Sequence, residues 1–264
     1  MNVYDLNATD LIYFFGALCR VSCILAVVPV FSHAAIPSLV KVLTGFALAV
    51  VIFPGAYAHI GPAGRIDADS LTQVALLTVK ECLVGLTLGF VSKLIFDSMA
   101  IAFNFISMQM GFMFSAFYDP TLEAQSPTLA QFVTVLATLL FVSLDGHHMI
   151  VRAISESFSV VPLGKGEITK AAATYMLDAG AQMFVIGIRL AAPVAVIMFV
   201  MNIAFGIVSR AVPQINVIMV SFTVNILVGF IAISLFLPML GYNLTSVSQE
   251  MFLRFYGVLR HLHG

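Results

Sequence analysis

The stretch that decides the fold is Leu71–Phe105, LTQVALLTVKECLVGLTLGFVSKLIFDSMAIAFNF, an apolar run that is interrupted by charged residues. A helix over this run is ~50 Å long, whereas the hydrocarbon core of a bilayer is ~30 Å thick. The helix must therefore break, or part of it must lie outside lipid. Polar and small residues recur at every fourth position and form one slowly winding strip, which predicts a packing surface. The strip consists of Glu81, Gly85, Gly89, Lys93 and Asp97.

Two features inside the apolar runs predict contacts with other helices. Gly85 and Gly89 form a G-x-x-x-G pattern, which lets a second helix approach closely. Arg189 lies four residues before Pro193, and this proline favours a kink because it lacks the backbone donor for the carbonyl of Arg189. We expect Arg189 to serve a subunit contact or to position a bend. The alternative is an arginine that snorkels to the interface.

Composition indicates a membrane protein that does not bind nucleic acid. The chain has 264 residues, of which 61% are hydrophobic and 9% charged, and its formal net charge is -1. Long apolar stretches of this kind are typical of membrane spans. A long basic run, as needed for nucleic acid, is absent from the sequence. The longest polar stretch, Asp145–Asp178, is too short for a soluble enzyme domain.

Six apolar segments follow one another and predict an all-α membrane-associated fold of hydrophobic hairpins, with broken and kinked helices. The segments are Leu11–Val30, Leu39–Ile60, Leu71–Phe105, Leu129–Leu144, Met183–Val208 and Ile215–Leu240. The last two are joined by so short a connection that they must form an antiparallel hairpin.

Charges near the ends predict an orientation that conflicts with this segment count. Asp5 and Asp10 precede the first apolar run, so we expect no cleavable signal peptide and an N-terminus outside the cytoplasm. Arg254 and Arg260 favour a cytoplasmic C-terminus. An N-terminus outside the cytoplasm and a C-terminus inside it require an odd number of spans, whereas six segments are counted. Either one segment does not cross the membrane, or the chain does not have an ordinary bilayer arrangement.

A methionine- and phenylalanine-rich cluster lies beside helix breakers. Gly111 and Pro120 argue against one continuous helix here. Methionine is flexible and polarizable, so such a cluster can form a deformable seal in a pore, and the alternative is ordinary packing of a loop. Its members are Met108, Met110, Phe112, Met113, Phe114 and Phe117.

The sequence predicts no catalytic residue, metal or cofactor. His147 and His148 follow Asp145, but an H-E-x-x-H motif or a cysteine–histidine set is absent from the sequence, and we interpret them as an interfacial helix end. Cys19 and Cys23 lie on one helical face, where a disulfide is geometrically poor. We interpret all the cysteines as small apolar residues.

Several stretches, in this order and spacing, resemble the flagellar biosynthetic protein FliR family, whose counterparts serve injectisome type III secretion. The resemblance covers nearly the whole chain. The stretches that carry it are Lys80–Phe90, Gln109–Gly111 with Asp119–Pro120, Leu140–Phe141 with Asp145–His148, Arg189–Pro193 and Ser209–Asn216.

The resemblance implies a non-enzymatic subunit of the export gate in the bacterial inner membrane, within the flagellar basal body. Family members assemble with P-type and Q-type subunits into a closed helical channel for unfolded flagellar proteins. Contacts with B-type and A-type export-apparatus subunits and with membrane lipid are also expected. Residues 1–180 are expected to resemble a P-type subunit, with a plug loop at about 111–125. Residues 181–264 are expected to resemble a Q-type hairpin followed by a tail.

The residue patterns and the resemblance together lead us to expect roles for named residues. The channel seal is expected at Met110, Gly111, Phe112, Met113, Phe114 and Phe117. Subunit packing is expected at Glu81, Gly85, Gly89, Lys93, Asp97, Arg189 and Arg210.

Two other functions are considered. A small-solute transporter would use Lys80, Glu81 and Arg189 as an ion or substrate site in broken helices. An intramembrane enzyme would use the cluster of Asp145, His147 and His148. The transporter predicts an internal repeat, and we see none in the sequence.

Overall fold

The computed structural model describes residues 7–32, 36–60, 70–112 and 145–262 except Ile215, together with positions 135, 138, 139, 142 and 143. For Val30, Ile95, Leu237 and residues 239–252 it describes the backbone alone. Every regular element within these residues is a helix, which confirms the predicted all-α class.

The helices extend well beyond several of the apolar runs. In chain order they are α1 (Ala8–Val27), α2 (Pro29–Ser32), α3 (Ser38–Ala58), α4 (Leu71–Gln109), α5 (Gly146–Val160), α6 (Lys170–Ala211) and α7 (Val217–Leu262). Five of the described helices are long and apolar enough to cross a membrane. The predicted segment Leu129–Leu144 lies mostly outside the described residues, although its described positions are helical.

The long helix α4 runs unbroken for 39 residues. It begins after Ser70, whose carbonyl accepts the backbone N–H groups of Gln73 and Val74 at 3.0 and 3.2 Å. It ends at Gln109, and Gly111 then takes a positive φ of 88°, a left-handed conformation that commonly follows a helix C-terminus. At ~58 Å the unbroken helix is about twice as long as the hydrocarbon core is thick. Part of it must therefore lie outside lipid, as the second expected alternative states.

Helices α6 and α7 form the predicted hairpin. Residues 212–216 join them, and Asn225 Nδ2 donates to Asn202 Oδ1 at 3.2 Å across the pair. Both helices continue through an internal proline, Pro193 in α6 and Pro238 in α7, so neither proline ends its helix. The predicted segments end earlier because the polar flanks of both helices remain helical.

The chain divides into two compact units. Unit one comprises Met1–Ile95, Asp145–Gly180 and Ser248–Gly264, and unit two comprises Phe96–Leu144 and Ala181–Val247. The division into a P-type-like and a Q-type-like part stays a prediction.

Unit one includes the end of the tail that follows Leu240. Phe255, Val258, Leu259 and Leu262 are all buried. The carbonyl of Leu262 accepts the backbone N–H of Glu167 at 3.1 Å. This end of α7 is therefore part of a hydrophobic core.

In unit one, α4 approaches α1 at its two glycines. A Cβ atom on Gly85 would lie 2.6 Å from the carbonyl oxygen of Arg20 and 2.8 Å from Cβ of Cys23. A Cβ atom on Gly89 would lie 2.8 Å from Cβ of Val27. These contacts are too short for any side chain, so both positions require glycine while the helices pack this closely.

We predict that Gly85→Ala destabilises the chain by ~1–3 kcal/mol, because the added methyl group meets backbone that cannot move aside. The thermal midpoint of the detergent-purified chain measures this. Gly180→Ala in α6 is the matched control, because nothing lies within 4 Å of its added Cβ. Better helix propensity should leave the control unchanged or slightly more stable. Equal behaviour of the two variants would show that the close approach does not limit stability.

Candidate functional site

The centre of unit one is an ion pair between Arg20 of α1 and Glu81 of α4. Both side chains are 0% exposed, and Arg20 Nε lies 2.5 Å from Glu81 Oε2. Arg20 shares one helical face with Tyr13, Ala17 and Ile24, which are also buried. The apolar face of α1 therefore carries a cation into the core, where an acidic partner is required.

The same guanidinium also binds the end of α5. Arg20 Nη1 donates to the carbonyl of Ser157 at 3.2 Å and to that of Val161 at 2.8 Å. The carbonyl of Ser157 also accepts the backbone N–H of Val161 at 2.9 Å. Carbonyls at a helix C-terminus carry partial negative charge, so a cation is favourable there. The ring of Phe158 lies 4.3 Å from the guanidinium carbon, a cation–π contact. Arg20 thus joins α1 to the C-terminus of α5.

Glu81 holds the turn that follows α5. Its Oε1 accepts the backbone N–H of Gly164 at 2.8 Å, and Gly164 has a positive φ of 80°. Both carboxylate oxygens of Glu81 are therefore bonded within the chain. This arrangement removes Glu81 from the ion or substrate site that the transporter hypothesis requires.

The linker between α5 and α6, residues 161–169, also contacts α4 and the end of α7. Lys80 Nζ lies 3.1 Å from Glu167 Oε1, and this pair is partly exposed. Thr169 Oγ1 donates to the carbonyl of His261 at 2.7 Å. A Cβ atom on Gly166 would clash with Val84 of α4. Residues 161–169 are thus held by α4 and by the end of α7.

The residues predicted to pack subunits fall into two groups. Glu81, Gly85 and Gly89 face α1 of the same chain. Their role between subunits stays a prediction, and the described structure gives them a partner within the chain. In the second group, Lys93 is exposed and Asp97 is half-buried.

Two further predicted packing residues lie on α6. Arg189 and Arg210 are both exposed. Arg210 lies in the last turn of α6, where a cation is favourable at the negative end of the helix. Their contact with other subunits stays a prediction.

The predicted seal begins in the core of unit two. Met110 is 0% exposed and packs in a cluster with residues of α4, α6 and α7. Phe112 lies at the edge of this cluster, with its ring perpendicular to that of Phe230 at a centroid distance of 6.4 Å. Met113, Phe114 and Phe117 lie outside the described residues.

The cluster of Asp145, His147 and His148 begins α5. Asp145 precedes the helix in a left-handed conformation with φ 58°, and its Oδ1 lies 3.1 Å from His148 Nδ1. One potential ligand atom from each residue lies within 4.8 Å of the others. The side chains of Asp145 and His148 are 75% and 74% exposed, so they form a solvated helix start within the described residues.

Sequence reasoning missed Arg20 as the partner of Glu81. The signal was present, because both residues interrupt apolar runs and a buried charge needs an opposite one. Their separation of 61 positions in the chain hid the pairing, since no local pattern relates two separate helices.

Comparison with known proteins identifies the class. The family of bacterial export proteins, family 1, matches residues 11–251 of the chain. The flagellar biosynthetic protein FliR of Pectobacterium carotovorum subsp. carotovorum is 30% identical over 239 residues, 90% of this chain and 89% of the relative. FliR of Bacillus subtilis (strain 168) is 33% identical over 215 residues, 80% of this chain and 81% of the relative. FliR of Escherichia coli (strain K12) is 27% identical over 239 residues, 90% of this chain and 89% of the relative.

The chain belongs to the flagellar biosynthetic protein FliR family, as the sequence resemblance predicts. Membership makes it a component of flagellar biosynthesis and protein export. The family and the five helices that can cross a membrane together indicate an inner-membrane location.

We predict that Arg20→Met or Glu81→Met alone costs ~3–5 kcal/mol, because each leaves an uncompensated buried charge. The double variant should lose less stability than the sum of the two single losses, although it removes a partner from the carbonyl of Val161 and from the backbone N–H of Gly164. Unfolding of the purified chain in detergent measures all three variants. Lys80→Met removes the neighbouring exposed pair and serves as control, with an expected cost of ~0–1 kcal/mol. Strictly additive losses would contradict a coupled pair.

Proposed function

We propose that the chain is the R-type subunit of the flagellar type III export gate. It forms a closed helical channel with P-type and Q-type subunits, through which unfolded flagellar proteins pass. The gate lies in the flagellar basal body and contacts B-type and A-type export-apparatus subunits. The subunit acts by structure and carries no catalytic residue, metal or cofactor.

The observation that carries this proposal is the exposed apolar surface of α4. Large apolar side chains are exposed from Leu71 to Phe90 and again at Phe105 and Met108, near the end of the helix. They are Leu71, Leu76, Val79, Leu83, Leu86, Phe90, Phe105 and Met108. They span ~56 Å along the axis, and ~43 Å across the bilayer even at a tilt of ~40°. A ~30 Å hydrocarbon core leaves part of this surface uncovered by lipid, so other protein subunits must cover it.

The hairpin of α6 and α7 supports the same conclusion. Exposed apolar side chains occur on both helices, among them Phe184, Phe199 and Ile207 on α6 and Ile218 and Leu235 on α7. A helix that is apolar on all sides is buried in lipid or in an assembly. Exposed Arg189 and Arg210 on the same helix favour an assembly, because a cation facing lipid is costly.

We predict that a photo-crosslinking residue at Leu76 yields adducts with P-type or Q-type subunits in cells. Leu76 is 55% exposed on α4, whereas Leu88 of the same helix is 0% exposed and serves as the matched control. Mass spectrometry of the adducts identifies the partner. Adducts with lipid alone at Leu76 would overturn the assembly, as would a homo-oligomer in the native mass of the solubilised complex.

We predict that replacing Phe112, Met113 and Phe114 by alanine makes cells leaky to small solutes, because the deformable seal is lost. Uptake of a small dye or conductance of the reconstituted complex measures the leak. Phe15→Ala on α1 is the control, since Phe15 is an exposed phenylalanine outside the loop. Unchanged permeability in an assembled complex would remove the loop from the proposed seal.

A further inference from the structure

The end of α4 fits into a recess on α7 within unit two. We infer that Gly229 is the positioning residue of this unit: it holds Met110 and so fixes where the chain leaves α4. The inference rests on the proposed function in one respect, which is that the residues after Phe112 form the proposed plug.

The recess exists because residue 229 has no side chain. A Cβ atom on Gly229 would lie 2.5 Å from Cε, 2.5 Å from Cγ and 2.6 Å from Sδ of Met110. All three distances are shorter than side-chain atoms tolerate, so the Met110 thioether occupies the space of the missing methyl group. Gly229 and Met110 are both buried, so they cannot move apart without opening the core.

Small residues shape the rest of the recess. Met110 belongs to a buried cluster with Ala191 and Met198 of α6 and Ala232 of α7. Alanine at two of these positions lets the long methionine side chain lie between the helices. Methionine suits such an irregular gap because it is unbranched and flexible.

A polar contact sets the register of the recess. Asn225 lies one turn before Gly229 on the same face of α7, since residues four apart on a helix are neighbours. It is 7% exposed, and its Nδ2 donates to Asn202 Oδ1 of α6. Asn202 is exposed, so the bond is only part-buried. It still favours one register of the two helices, because sliding would leave the buried Asn225 amide group without its acceptor. The bond therefore favours one height of Gly229 beside α6.

The chain leaves α4 immediately after this anchor. Met110 N–H still donates to the carbonyl of Ile106 at 2.9 Å, and Gly111 then turns the backbone with φ 88°. Phe112 packs edge-on against Phe230, the residue next to Gly229. Two successive residues of α7 thus hold the chain on either side of Gly111, and this fixes the turn from Met110 to Phe112.

The test places Gly229→Ala in two backgrounds of the full-length purified chain. In the wild-type background the added methyl should displace Met110 and lower the thermal midpoint by about 2–10 °C. In a Met110→Ala background the space is already free, so the same change should have no effect or raise the midpoint. Gly206→Ala in α6 is the control, because nothing lies within 4 Å of its added Cβ. An equal decrease in both backgrounds would overturn the recess.

A second measurement reports position rather than stability. Cysteines at Phe112 and Phe230, in a chain with alanine at Cys19, Cys23 and Cys82, are bridged with a short bismaleimide. Gly229→Ala should reduce the bridging yield severalfold, and adding Met110→Ala should restore it. An unchanged yield in the Gly229→Ala chain would overturn the positioning role even if stability falls.

The outcomes also separate this inference from the proposed seal. If bridging falls in the Gly229→Ala chain while the alanine triple variant stays impermeable, the positioning role stands and the seal is contradicted. If bridging is unchanged while the alanine triple variant leaks, the seal stands and the positioning role is contradicted.

Discussion

The buried ion pair between Arg20 and Glu81 is the constraint on which unit one depends. Removing two charges from water costs several kcal/mol per ion, and only close geometry with further hydrogen bonds offsets this cost. Here the guanidinium also binds two carbonyls at the end of α5, and the carboxylate also binds Gly164. The segments involved are up to 141 residues apart in the chain, so their positions must be correct together.

Charges in the apolar runs of this chain therefore have two different explanations. Arg20 and Glu81 neutralise each other inside the unit, although Arg20 Nη2 is buried without a hydrogen-bond partner among the described residues. Arg189 and Arg210 are exposed on an apolar helix, where lipid is an unfavourable neighbour. Under the proposed function, the second group marks the surface that other subunits cover, whereas the first stabilises the chain itself.

Local patterns predicted the helices and several of their ends, but not the contacts between them. Gly111, which argued against one continuous helix, follows the end of α4 because a left-handed glycine acts within one turn of the chain. Neither the pairing of Arg20 with Glu81 nor the recess at Gly229 leaves such a local pattern. Both depend on which helices become neighbours, and a single sequence does not encode that in any short window.

The glycines of this chain are required for two physically different reasons. At Gly85 the nearest atom is the backbone carbonyl of Arg20, so truncating a neighbouring side chain cannot make room for a methyl group. At Gly229 the nearest atoms belong to the flexible end of Met110, so a change at one residue can be offset at the other. Gly85 is therefore fixed by the spacing of α1 and α4. Gly229 is restricted only by one partner side chain, so a single substitution at Met110 can relieve the restriction.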